Sequence, residues 1–302
     1  MSYKKNKTHK YSTNVRVSSE KRILTFISLY LLWYIRRNAL KKYLLKQFFS
    51  AKSYPISESE MQILQRGERF EIEVNEKPVV CWKWGVGPVV IFAHGWNGRG
   101  IQFHRFFDSF INRGFSVVAF DGPGHGESEG KTSSYFQMTD TVRTLIDHYK
   151  QENIAGIVGH SFGASAIINA LSKEKISIPV VLISPAIKLR EFMQKTMQIH
   201  GIPNAIFYAI VADYEKEYGY NFKKDNPFNL LKTFELTALI LHDSEDPVTP
   251  SVISQEAANQ YDSINLITTD GLGHVRILND EMVIEKSFNY LSRFNANKYK
   301  DV

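Results

Sequence analysis

Short apolar runs alternate along this chain with stretches whose apolar positions return every three or four residues. "PVVIFAH" (88–94) is apolar almost without a break, as expected of a strand covered on both faces. "FSVVAFD" (115–121), "IAGIVGH" (154–160), "IPVVLISP" (178–185), "LTALILHD" (236–243) and "INLITTD" (264–270) repeat the pattern. "RFEIEVN" and "PVVCWKWG" read as a pair of strands around a tight turn at Glu76 and Lys77. Between these runs lie helical stretches: "FHRFFDSFINR", "MTDTVRTLIDHYK", "FGASAIINALSK", "SVISQEAANQY" and Met282 to Phe294, with an earlier helix starting near Ser57. Strand–helix alternation of this kind predicts a mostly parallel central sheet with helices on both faces. Residues 186–233 break the rhythm with two helix-like segments, "KLREFMQKTMQIH" and "AIFYAIVADYEKEY". An insertion at the C-terminal edge of a parallel sheet overhangs the crevice where ligands bind, so this stretch is expected to be a small helical cap.

The charge distribution sets the first fifty residues apart. They hold twelve Lys or Arg and one acid, a net of +11, whereas the remaining 252 hold 25 basic and 30 acidic residues, a net of −5. The chain is therefore read as a basic, apolar arm (1–50) followed by one α/β domain (51–302). The basicity is not a property of the body, so no nucleic-acid partner is expected. The apolar run "ILTFISLYLLWYI" (23–35) is too short for a spanning helix, which needs about 20 residues. From Leu40, apolar positions at 40, 43, 44 and 48 recur at helical spacing with Lys41, Lys42 and Lys46 between them. Two readings stay level: a basic amphipathic helix on an anionic membrane surface, or a stripe packed on the protein's own body. An uncleaved insertion signal is a third. The single cysteine, Cys81, allows no internal disulfide and sits in an apolar run, as a buried small hydrophobe would. The expected location is the cytoplasm, at the inner face of the membrane where the arm binds lipid. No zinc spacing, P-loop or dinucleotide fingerprint occurs, and no cofactor or metal is expected.

The candidate chemistry follows from strand ends. In a parallel sheet the residues after each strand gather on one rim. Ser161, in "GHSFG" directly after the strand ending at His160, lies at a strand–turn–helix junction between Gly159 and Gly163, the context of a nucleophile elbow. A serine hydroxyl needs a base, and His274 in "TTDGLGHVRIL" follows the last strand in a glycine-bearing loop. The other histidines compete less well: His94, His125 and His160 adjoin structural turns, and His242 is still within its strand. A carboxylate must orient the imidazole, and "LILHDSEDPVTP" offers Asp243, Glu245 and Asp246. Asp246, in the loop proper, is the best placed, and Asp243 is expected to cap the strand end. Donors for an oxyanion are expected from the backbone N–H of Phe162, at the head of the next helix, and of Trp96 in "HGWNGRG".

With "HGW", "FDGPGHGES", "GHSFG", "HDSEDPVTP" and "GLGH" in this order, the chain from about residue 65 to 296 resembles the α/β-hydrolase-fold serine hydrolases. The wording around these motifs is similar to that of bacterial proteins generally labelled only as hydrolases. The resemblance implies a Ser161–Asp246–His274 triad and a small-molecule acyl substrate, an ester or thioester. It implies a structural turn for Asp121 and His125. An amide substrate uses the same triad, and a scaffold that kept the fold without the chemistry is the contrasting class. The resemblance is silent on the arm.

Overall fold

The computed structural model describes residues 19–52 and 54–295; the first eighteen residues of the basic arm lie outside these. The chain opens with helix α1 (Ser19–Phe48), and α2 (Glu58–Gln65) leads into the hairpin β1 (Glu68–Val74) and β2 (Lys77–Trp84). Then follow β3 (Val89–Ala93), α3 (His104–Ile111), β4 (Ser116–Phe120), α4 (Tyr135–Tyr149), β5 (Ile154–His160) and α5 (Phe162–Glu174). After β6 (Val180–Ile183) come α6 (Leu189–Ile199), α7 (Asn204–Tyr218) and α8 (Pro227–Leu230), in the stretch read as a cap. The chain closes with β7 (Ala238–Asp243), α9 (Val252–Gln260), β8 (Ile264–Thr269), α10 (Gly273–Arg276) and α11 (Glu281–Asn295).

The eight strands form one sheet in the order β1-β2-β4-β3-β5-β6-β7-β8. The β1–β2 and β2–β4 pairs are antiparallel and the others parallel. Strands β3 to β7 are buried along their whole length, which is why their sequences are continuously apolar instead of alternating. The hairpin corrects one expectation. Val74 pairs with Lys77, so the turn residues are Asn75 and Glu76, one position earlier than Glu76 and Lys77. Both have positive φ (49° and 61°), the conformation a two-residue hairpin turn needs to follow the strand twist, and Asn tolerates it better than Lys.

One face of the sheet packs α4, α5, α9 and the cap helices into a continuous apolar core. The other packs α2, α3 and α11. There the rings of Phe92, Phe103, Phe106 and Phe110 meet at 5.2 to 5.9 Å, tilted or edge to face. Helix α2 starts where the sequence places it: the Ser57 hydroxyl accepts from the Glu60 N–H while the Glu60 carboxylate accepts from the Ser57 N–H.

Helix α1 behaves as two pieces joined at Arg36, whose φ of −136° and ψ of 45° interrupt the helix. Beyond the break Leu40, Leu44 and Phe49 are buried in the core that includes the cap. The Phe49 ring stacks on Tyr214 of α7, and Lys41 pairs with Asp213. Before the break Leu29 is buried, but Ile23, Leu24, Ile27, Leu31, Tyr34 and Ile35 are exposed, Tyr34 by 93%. Of the two level readings, packing on the body holds for the stripe from Leu40 on. Among the described residues no helix is long and apolar enough to cross a membrane.

Candidate active site

Strand order reverses around β3, since β4 lies on one side of it and β5 on the other, and a crevice opens at their C-terminal ends. Ser161 stands at this point. Its φ of 52° and ψ of −112° lie where side chains are rarely found, a conformation costing about 1–3 kcal/mol that the surrounding packing must hold. Two glycines make that packing possible. A Cβ on Gly163 would lie 2.3 Å from the Ala93 carbonyl oxygen, so α5 abuts β3 only because position 163 has no side chain. A Cβ on Gly95 would come within 2.8 Å of His160 Nδ1 and 3.3 Å of Ser161 Cβ, so the loop after β3 lies directly against the elbow.

Three expected residues meet here. Ser161 Oγ is 3.0 Å from His274 Nε2, and His274 Nδ1 is 2.7 Å from Asp246 Oδ2. His274 stands on the one-turn helix α10, not on a bare loop, with Gly271 and Gly273 at positive φ leading into it. Asp246 is buried and collects donors on both oxygens. Oδ1 accepts from the N–H of Val248 (2.7 Å) and Thr249 (2.9 Å), and Oδ2 also accepts from the Thr249 hydroxyl (3.0 Å). Burial opposes its ionisation, but the histidines His242 and His274 and the backbone donors outweigh burial and hold it well below the usual carboxylate range.

Asp243, the competing acid, faces elsewhere. Oδ2 accepts from the Thr269 hydroxyl (2.7 Å) and the Leu272 N–H (2.9 Å), and Oδ1 from the Glu245 N–H (3.1 Å). Burial pushes its pKa up, yet these bonds win and the net shift is downward. It ties the strand end to the segment that carries His274. Glu245 has no bond to His274 among the described residues; its N–H serves Asp243.

Phe162 heads α5 directly after Ser161, and Trp96 follows Gly95 in the loop that lies against the elbow. The Phe162 ring lies edge-on to Trp96 (5.2 Å) and near Tyr135 (6.1 Å), so aromatic surfaces line this side of Ser161. The cap begins within reach, where the Ser165 hydroxyl donates to the Ala186 carbonyl at 2.9 Å.

Three histidines near the site, His94, His125 and His160, are framework. His94 donates from Nδ1 to the Gly95 carbonyl (2.7 Å) and accepts at Nε2 from the Gly122 N–H (2.8 Å); burial and the Arg99 cation lower its pKa to about 4, against the pull of the Gly95 bond. His125 accepts from the Asn97 N–H, and burial with the neighbouring His94 lowers it to about 3. Asp121 accepts from the N–H of Gly100 and Glu127, closing the turn after β4. His160 donates from Nε2 to the backbone carbonyl of His274 (2.8 Å); burial and the His274 charge lower it to about 3. One neighbour of the acid was passed over in the sequence. His242, fully buried at the end of β7, has Nε2 3.3 Å from Asp246 Oδ2. The sequence shows its spacing of four before Asp246, but inside an apolar strand a histidine reads as part of the strand.

Comparison with known proteins agrees with this fold. The family model described as "Serine aminopeptidase, S33" matches residues 86–217. A Mycoplasma pneumoniae protein named "Putative esterase/lipase 2" is 25% identical over 228 residues, covering 61% of this chain and 81% of that one. The "Lysophosphatidylserine lipase ABHD12" of Gallus gallus is 26% identical over 187 residues, 57% of this chain, and the match spans about half (47%) of that relative's length. Among solved structures, the Pyrococcus furiosus esterase Pf2001 superposes with a TM-score of 0.62 at 19% identity, covering 81% of this chain and 97% of that one, a likeness of fold. Sheet order, elbow and relatives together give the chain the α/β-hydrolase fold and make it an enzyme of the serine-hydrolase kind.

Proposed function

We propose that this enzyme cleaves a carboxylic ester or thioester of an amphiphilic acyl substrate through an acyl-serine intermediate. The observation that carries the reading is the relay from Ser161 Oγ to His274 Nε2 at 3.0 Å and from His274 Nδ1 to Asp246 Oδ2 at 2.7 Å. In this scheme His274 takes the Ser161 proton as Oγ attacks the acyl carbon, and Asp246 holds the Nε2-accepting tautomer and stabilises the imidazolium. The N–H groups of Phe162 and Trp96 receive the oxyanion, each worth about 3 kcal/mol. Collapse of the tetrahedral species expels the alcohol or thiol, which takes its proton from His274. Water, deprotonated by His274, then attacks the acyl-serine, and the second collapse returns the proton to Ser161 and frees the acid. The aromatic wall of Trp96, Phe162 and Tyr135 fits an apolar acyl chain, in keeping with relatives named as lipases. A fluorophosphonate probe should label the full chain at Ser161 and leave Ser161→Ala unlabelled; equal labelling of both overturns the assignment. A second reading, amide cleavage, draws on the aminopeptidase name of the matching family model, and turnover of aminoacyl amides above matched esters would favour it.

The arm supplies the location in this proposal. A helix that exposes Ile23, Leu24, Ile27, Leu31, Tyr34 and Ile35, in an arm of net charge +11, suits an anionic bilayer surface. Basic residues contribute roughly 1 kcal/mol each near such a surface, and apolar contact adds a part that salt does not screen. Co-sedimentation with phosphatidylglycerol vesicles should weaken with salt without vanishing, and should be lost when residues 1–35 are removed. A full chain that stays in the supernatant, or pairs with a second copy instead, refutes the placement. Removal of residues 1–50 is a different experiment, because it strips Leu40, Leu44 and Phe49 from the core at about 1.5–3 kcal/mol each.

A further inference from the structure

We propose that His242 is a positioning residue for the reaction, a second imidazole donor that fixes the carboxylate of Asp246; the inference rests on the triad reading above. The ring is buried between two elements. Nε2 lies 2.9 Å from the Thr249 carbonyl oxygen and 3.3 Å from Asp246 Oδ2, and Nδ1 lies 2.7 Å from Ser254 Oγ on α9. A carbonyl can only accept, so Nε2 carries the proton, shared between the Thr249 carbonyl at 2.9 Å and Asp246 Oδ2 at 3.3 Å. The Ser254 hydroxyl then donates to the bare Nδ1, and the tautomer is set from outside the site.

The consequence is geometric. Asp246 Oδ2 faces two imidazoles, His274 from the rim and His242 from the strand, with the Thr249 hydroxyl between them. Thr249 is in turn held twice: its carbonyl accepts from His242 and its hydroxyl lies within reach of the Ser184 carbonyl at 3.2 Å. This carboxylate, held within its own loop by Val248 and Thr249, is tied to β7 and α9 as well through the His242 ring. His274 is thereby presented to Ser161 with its Nε2 lone pair outward, as the base must be. The role assigned to His242 is to hold the acid, not to touch substrate.

The test uses the full chain and a short acyl ester of p-nitrophenol. His242→Leu removes the donor; His242→Gln keeps an N–H near the Nε2 position. Leu should lower kcat about 30- to 100-fold with KM within twofold, and Gln should recover all but about fivefold. The far-downfield proton resonance of the His274–Asp246 hydrogen bond should vanish in the Leu variant and return in the Gln variant. A Leu variant that melts earlier but keeps kcat and the resonance would show that the ring only fills space. Equal losses in Leu and Gln would also overturn the donor role. Should the Leu variant not fold, Ser254→Ala replaces it: a three- to tenfold fall in kcat at unchanged Tm supports the proposal, and an unchanged kcat refutes it. Phosphonate labelling of Ser161 in the same preparations separates these outcomes from failure of the triad reading itself.

Discussion

Asp243 and Asp246 are three positions apart, both buried, and both held ionised by hydrogen bonds that overcome burial. Their surroundings differ in kind. Asp243 gathers Thr269 and the N–H of Leu272, which is chain that leads to His274. Asp246 gathers the imidazole itself. One carboxylate holds the support and the other the ring, and a lowered pKa alone would not tell them apart.

The largest expected effect separates them at once. Asp246→Asn leaves packing in place but presents a donor where His274 Nδ1–H needs an acceptor, and kcat should fall about 10³- to 10⁴-fold, with a fall in Tm because the hydrogen bonds to the ionised carboxylate are weakened. Steady-state kinetics beside a melting curve checks both halves. Asp243→Asn should do the opposite in emphasis. It weakens the bonds to Thr269 and Leu272, costs about 1–3 kcal/mol of stability by urea unfolding, and lowers kcat only about tenfold as α10 loosens. Reversed magnitudes would transfer the acid's role to Asp243.

The smallest difference between the two variants and wild type is in acid. Both carboxylates sit below their ordinary pKa in the folded state, so their stabilisation is complete above about pH 4 and is lost as pH falls through the lower folded values. His94, His125 and His160 act earlier. Their folded values of about 4, 3 and 3 lie below the free value near 6.5, so the unfolded chain binds protons first. Stability should therefore decline from about pH 6.5 downward in wild type and both variants alike, by up to about 1.4 kcal/mol per pH unit for each histidine. Only below about pH 4 should wild type lose ground on Asp243→Asn and Asp246→Asn. Urea titrations at pH 7, 5 and 3.5 test this, and divergence already at pH 5 would contradict it.

What the sequence makes legible is what is local and repetitive. A strand buried on both faces has to be apolar throughout, so β3 to β7 could be read to within about two residues. Ser161, His274 and Asp246 could be nominated because strand ends of a parallel sheet share a rim, and the structure brings these three within hydrogen-bond reach. Contacts across distant segments leave weaker marks. Nothing in "LILHD" says that the His242 ring turns toward a loop four residues on. The hairpin slipped by one because Asn75 and Lys77 are both polar and only the register decides. The arm divided because an apolar stripe is the same in sequence whether it meets α7 or nothing, and only Tyr214 and Asp213, some 170 residues away, distinguish the two.

The break in α1 at Arg36 has a bearing on how the chain can be cut. Proteases that act after basic residues need extended backbone, and intact helix resists them. At Arg36 and Arg37 two exposed basic side chains coincide with the interruption of the helix. Cleavage there would shed the exposed apolar stretch and leave Leu40, Leu44 and Phe49 seated under the cap. A brief tryptic digest would thus release a body with its cap contacts whole, where a cut at residue 50 would tear them out.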